Sequence, residues 1–496
     1  MKYIKISIVI LLVSFISIFA YKLTTNNSNN KLSLTKEQMK EMLSYTIDGN
    51  KTSSMPTKGS GYKVKSITCK SGSILSWDND NWLLEVEKIE SEDLCNIDFT
   101  TGTGSYTVTA VPSISGSLDS TSKTTTENGV VTFYTDAIID SVSGCTNEIS
   151  DGKVIVKNIT SNTTCNINVS YMKLYDKLLA DKTTRPGART DFSKVLTNDN
   201  TKTLYTSTED SKTVYYFAGN ATDNWVKFGK NENNQDLYWR IIRTNSEGSV
   251  RLLYHGTSTT ATDAVINTST AFNSTYNDPM YVGYMYGTSG SLVNNRKNTN
   301  NSTIKGIIDT WYENNLKTNY TKYLSTTAVY CNDRSNPAGG YTTEDSRFYY
   351  GAYTRLGANK TPSYDCATTE DKFTVDTSTG NGKLTYPIAL MTADEVSFAG
   401  GLYGTNAPTW YYKNSANGSS TGSTWWWLLS PDYWYNSFAR VFGVRGSSGP
   451  GRLNSNGVVS NSGVRPAVSL KSCIKYSTGN GSASDPYTIK ETETGC

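Results

Sequence analysis

Histidine is almost absent from this chain of 496 residues: His255 is the only one. A histidine-based hydrolytic triad or metal centre would rest on that one side chain, in the strand-like segment VRLLYHGT. A hydrogen-bonded turn residue is the simpler reading. No two cysteines have CxxC spacing, which removes zinc ribbons and thioredoxin chemistry. No glycine loop has phosphate-cradling or dinucleotide-binding spacing. Basic runs are missing too. Lys and Arg number 47 against 44 Asp and Glu, a net charge of +3, without the clustered basic face that nucleic acid requires.

The N-terminal apolar run, Ile6 to Tyr21 between Lys5 and Lys22, falls short of the ~20 residues that comfortably span a bilayer and matches a signal-peptide core. Cleavage after Ala20 would put Ile18 where a small residue is preferred. A retained single-pass anchor with Lys2 and Lys5 cytoplasmic is therefore favoured over cleavage. Either outcome exports the rest of the chain.

What the chain has in quantity is polar, uncharged surface. Hydrophobic residues are 36 % and charged residues 18 %, with 34 tyrosines and a mean hydropathy of −0.46. That balance suits β-rich extracellular modules with long loops. Eight cysteines fit the same compartment. Their clustering favours neighbours as partners, Cys69–Cys95, Cys145–Cys165, Cys331–Cys366 and Cys473–Cys496, against the alternative of reduced, buried thiols.

The expected architecture is multidomain: an N-terminal membrane anchor, small all-β repeat modules and a C-terminal α+β domain. Residues 1–22 form the anchor or signal peptide, and 23–60 a spacer with a short helix around Thr35–Leu43. An internal repeat follows, ending in Cys95-Asn96-Ile97-Asp98-Phe99 and again in Cys165-Asn166-Ile167-Asn168-Val169. In each, Cys, Ile and an apolar residue share one face of a strand. These repeats read as two disulfide-pinned β-modules, 61–105 and 106–171, of the kind that serve as spacers. The turn WDNDNW (Trp77 to Trp82) resembles the start of a calcium loop but lacks the later glycine and glutamate, so an Asx turn is preferred. A polar connector, 172–213, leads to the C-terminal domain, 214–496. There, strand-like segments give way to a helix capped by Ser302 and a short helix that Thr392 and Glu395 can cap.

The ordered segments YWRIIR, DTWYENNL, YCNDR, LTYPIALMTADEVSFAGG, WWLLSP and GVRPAVSL resemble a family of exported proteins of Firmicutes with a C-terminal domain of unknown function. The WW-L-SP … GVRPA ending also looks like the C-type-lectin-like fold in its formylglycine-generating-enzyme form, which includes variable proteins diversified by retroelements. The resemblance implies a displayed loop surface and does not by itself give a function. The cysteine motifs of the formylglycine-generating enzymes are not matched here. Arg440, Arg445, Arg452, Asn454 and Asn456 fall on the segment that forms the exposed ligand surface in lectin-like relatives, and they are candidate ligand contacts.

The segment TWWWLLSPDYWYNSFARVFGVR (Thr424 to Arg445) carries the strongest signal. By strand alternation Trp425, Trp427 and Leu429 point one way and Trp426 and Leu428 the other. Both faces are apolar, as in a central strand, so this run is mostly core. Asp432, Tyr433, Trp434, Tyr435 and Asn436 follow Pro431 in what reads as a turn, where flat aromatics beside an amide and a carboxylate suit a sugar face or a protein hot spot. The competing reading is a loop that packs on its own domain. Glycosidase chemistry needs two carboxylates about 5–9.5 Å apart, and only Asp432 looks site-like. Arg465, before Pro466, reads as a structural arginine bridging backbone carbonyls. The sequence thus points to a non-catalytic cell-surface binding or adhesion protein without cofactor, whose partner is an extracellular glycan or protein. An exported glycan-acting enzyme and a pilus-like assembly subunit are the alternatives.

Overall fold

In the computed structural model, residues 4–9, 20–25, 41–78, 82–90, 92–102, 104–198 and 201–496 are described. The chain forms two compact units, Met1–Tyr171 and Met172–Cys496. It is mostly β-sheet, with 37 % strand and 12 % helix.

The first unit contains β1 (Ile4–Val9), β2 (Ala20–Thr25), β3 (Leu43–Ile47), β4 (Asn50–Thr52), β5 (Tyr62–Cys69), β6 (Ile74–Asp78), β7 (Leu83–Lys88) and β8 (Cys95–Thr101). A second set follows: β9 (Ser105–Pro112), β10 (Ser122–Thr126), β11 (Val131–Tyr134), β12 (Ile138–Ser143), β13 (Asn147–Ser150), β14 (Lys153–Val156) and β15 (Thr163–Ser170). The repeat in sequence has a counterpart in topology. One sheet runs β4-β3-β8-β5 and its equivalent β10-β9-β15-β12. In both, the cysteine-bearing last strand lies parallel to the first strand of its module and antiparallel to another. Its inward residues are buried: Cys95, Ile97 and Phe99 in the first, Cys165, Ile167 and Val169 in the second. The first module therefore begins at Leu43, inside the segment expected to be spacer. The helix expected around Thr35–Leu43 falls mostly outside the described residues, as does the centre of the WDNDNW turn.

The expected membrane anchor needs correction. Ile4–Val9 and Ala20–Thr25 are antiparallel strands, residues 10–19 lie outside the described residues, and among the described residues no helix is long and apolar enough to cross a membrane.

The second unit starts earlier than expected. Its first helix, α1 (Leu174–Asp181), buries Leu174 and Leu178, and Leu204 joins the same core, so residues 172–213 are part of the unit. Five strands follow: β16 (Tyr205–Glu209), β17 (Lys212–Tyr216), β18 (Trp225–Lys230), β19 (Asp236–Thr244) and β20 (Val250–Tyr254). Next come β21 (Asn267–Thr270), the short pieces β22 (Met285–Tyr286), β23 (Asn300–Asn301) and β24 (Tyr330–Cys331), then β25 (Arg347–Tyr349), β26 (Lys372–Phe373) and β27 (Ile388–Leu390). The chain closes with β28 (Trp426–Tyr435), β29 (Phe438–Val444), β30 (Leu453–Gly457), β31 (Ser462–Val464) and β32 (Pro466–Leu470). One sheet has the order β16-β17-β19-β20-β32-β27 with β18 on β19, and the other β21-β31-β28-β29-β30 with β25 on β28.

The α+β description of this unit is likewise corrected: sheets carry it. Helix α2 (Thr303–Asn315), capped by the Ser302 hydroxyl, buries Ile304, Ile308 and Tyr312. Helix α3 (Ala393–Phe398) has a complete capping box between Thr392 and Glu395. Helical periodicity is real in these two stretches, but each is short, and the apolar mass lies in the strands. Trp239, Trp410, Trp426, Trp427 and Trp434 are fully buried in one core.

All eight cysteines pair as neighbours: Cys69–Cys95, Cys145–Cys165, Cys331–Cys366 and Cys473–Cys496. Four such bonds suit an oxidising compartment and not a reducing cytosol.

Candidate functional site

Strand β28 positions the candidate site. Trp426 and Trp427 are both buried, so the strand is covered on both faces, and Trp427 Nε1 donates to the Thr270 carbonyl at 2.9 Å. Trp425, just before it, is half-buried with the Arg445 guanidinium 4.1 Å from its ring. Pro431 does not start a turn, contrary to the sequence reading. It pairs with Val441 of β29, with register shifts on both sides. A proline in an interior strand is tolerated at such bulges, and bulges re-aim the side chains that follow. The strand continues to Tyr435, and the turn comes at Asn436 and Ser437, with φ of 44° and 69°. Two consecutive positive φ values match the two-residue hairpin turn that follows the twist of its strands.

Three predicted residues converge below this hairpin. Asp432 is fully buried, and among the described residues neither carboxylate oxygen has a hydrogen bond of normal geometry. Burial pushes its carboxyl up to about 7, against the smaller opposing pulls of Ser455 and Arg440. Ser455 thus lies close by without a bond of normal geometry. Arg440 is half-buried, donates from Nη2 to the Ser455 carbonyl at 3.0 Å and lies 5.1 Å from the Tyr433 ring centre. Its Nε is buried without a hydrogen-bond partner among the described residues.

The sequence reading missed the rest of this cluster. Tyr349 and Tyr353 stack at 4.1 Å, and the Tyr433 ring lies 5.8 Å from the first and 6.4 Å from the second. Tyr403 is 5.8 Å from Tyr353. Burial raises the phenols of Tyr353, Tyr403 and Tyr433, and the charge of Asp432 adds to the shift. All four rings are half-exposed. The tyrosine-dense RFYYGAY, residues 347–353, was the available signal.

At the hairpin tip, Tyr435 is 39 % exposed and Phe438 44 %. The two pair across the turn, and Tyr276 stacks on Phe438 at 4.7 Å with the rings 9° from parallel. Arg347 lies over Tyr435. Asn436 is exposed in the turn.

Other candidates lie elsewhere. Trp434 is not a surface residue: it is fully buried, and its Nε1 donates to the Asp345 carbonyl at 2.9 Å. Arg445 and Arg452 sit at the far end of the β29–β30 pair, where Arg452 Nε donates to Asn406 Oδ1. Asn454 and Asn456 alternate with Ser455 and so face away from it, each accepting the following backbone N–H.

His255 is fully buried. Its Nδ1 is 3.0 Å from Arg465 Nη2, and burial, with Arg465 and Arg240, holds it well below the usual histidine range. Arg465 bridges backbone carbonyls, those of Tyr254 and Tyr411.

A second charged group lines a cavity of about 20 Å³, room for about one water. Arg243 donates to Glu209 and Glu395, Arg251 donates to the same Glu395 oxygen, and Arg355 donates to Asp333 and Asp394. Burial would raise Glu395 and Asp333, yet the arginines hold both below the ordinary carboxylate range. Paired and ionised, these acids are braces, not proton donors.

Protein-family models, curated proteins and solved structures were compared with this chain, and none matches.

Proposed function

We propose that this is an exported recognition protein: the second unit binds an extracellular ligand through the β28–β29 hairpin face, without catalysis, and the β-modules of the first unit act as its spacer. The observation that carries this reading is the set of exposed aromatics at one hairpin tip, Tyr435 and Phe438, with Tyr276 stacked on Phe438 from a separate loop and Arg347 beside them. Aromatic and arginine side chains of this kind supply most of the energy at recognition surfaces. The paired positive φ values at Asn436 and Ser437 fix the hairpin, which lowers the ordering cost of binding. The buried acids of the Arg243–Glu395 group are held by arginines, which weighs against their use in hydrolysis.

The test is a screen of the whole protein on glycan and surface-protein arrays, beside a folded Tyr435→Ala/Phe438→Ala variant. A hit lost in the variant supports the reading. Silence from folded wild-type protein, or a hit indifferent to the variant, contradicts it.

A further inference from the structure

Asp432 and Arg440 are neighbours in the second unit, and both hold buried polar atoms without a well-formed bond. Both oxygens of the carboxylate and the Nε of the guanidinium lack a hydrogen bond of normal geometry among the described residues, with Ser455 close to the carboxylate. Buried polar groups are nearly always paired, and the exceptions call for a reason. One acceptor and one donor stand unused on the same sheet face, beside four half-exposed tyrosine rings.

We propose that this pair is the polar half of a carbohydrate subsite, in which one ligand hydroxyl donates to Asp432 and accepts from Arg440 Nε while the flanking tyrosines pack on the sugar ring. The inference rests on the reading of the second unit as a recognition domain.

Charge selects the ligand class. A carboxylate or phosphate would meet Asp432, and an ammonium group would meet Arg440. A hydroxyl carries no net charge and is both donor and acceptor, so it satisfies both groups at once. The aromatic faces supply the apolar contact that a sugar ring needs and a lone hydroxyl lacks. Access comes through the rim, because Tyr403 and Tyr433 are half-exposed and exposed side chains change rotamer readily. The titratable and charged groups facing Asp432 are Tyr353, Tyr403, Tyr433 on its own strand, and Arg440 on β29. None of the tyrosines ionises near neutrality, so a change in binding there reports the carboxyl.

The test puts wild type, Asp432→Asn and Arg440→Lys on an array of neutral and acidic oligosaccharides and on a surface-protein array, with a thermal melt of each variant. A neutral oligosaccharide hit should weaken roughly tenfold or more in either variant, the scale of one charge-assisted hydrogen bond. Wild-type affinity should also rise between about pH 6 and pH 8, because the ionised carboxylate is the stronger acceptor. That pH profile needs no variant to fold. A sugar hit indifferent to both variants and to pH overturns the subsite and leaves a bridging water as the occupant. Hits on proteins alone overturn it while keeping the recognition reading, and silence on both arrays removes the two together.

Discussion

The guanidinium of Arg347 lies 4.3 Å from the centre of the Tyr435 ring, and the two residues face each other in register across β25 and β28. The arginine thus holds an exposed ring in place from a strand far earlier in the chain. Replacing Tyr435 or Phe438 by Ala removes one exposed ring contact each and should cost only about 1 kcal/mol, the scale of a surface cation–π or aromatic pair. Thermal melts check this.

Trp434 behaves oppositely although it is one residue away. Truncating it to Ala empties a fully buried site and strands the Asp345 carbonyl, so it should cost ~3–5 kcal/mol, as should Trp426→Ala. Chemical denaturation of both variants measures the cost. A Trp434→Ala protein as stable as wild type would show that the indole is not core.

How much of this could be read in advance follows from range. The double burial of Trp426 and Trp427 was legible because strand alternation is local, as were the capping box of Thr392 and Glu395 and the pairing of neighbouring cysteines. Pro431 misled the reading of what comes next. A proline usually ends a strand, but the two bulges around it let β28 run on and bury Asp432 and Trp434. Tyr349, Tyr353 and Tyr403 could not be joined to Tyr433 from the sequence, because their meeting depends on long-range pairing. Sheet content in the second unit was underread for the same reason: short strands such as β25 and β26 exist only through their partners.

Glu395 anchors two buried arginines through one oxygen. Glu395→Gln removes the Arg251 counter-charge and leaves Arg243 with Glu209 alone, and it should cost ~3–5 kcal/mol. Its carboxyl is held low in the folded protein, so its contribution is complete above the ordinary carboxylate range and lost on acidification below it. A urea series at several pH values separates this from a pH-independent packing loss.

Asp432 has the opposite sign. Its folded value is raised from 3.8 to about 7, so the folded state binds the extra proton between those limits. The contribution is fully favourable below the lower value and declines as pH rises through the upper one. Wild type should therefore lose stability from about pH 5 to pH 8. Asp432→Asn should flatten that slope and be the more stable protein at pH 8, as melts across this range will show.

The central claim is that the hairpin tip touches the ligand. Its most direct test is the dissociation constant of the Tyr435→Ala/Phe438→Ala variant for whatever ligand the wild-type protein captures, taken with its melting temperature. The account predicts a loss of at least ~100-fold in a variant that still melts cooperatively, since hot-spot residues cost 2 kcal/mol or more when truncated. An unchanged dissociation constant in a folded variant would contradict it.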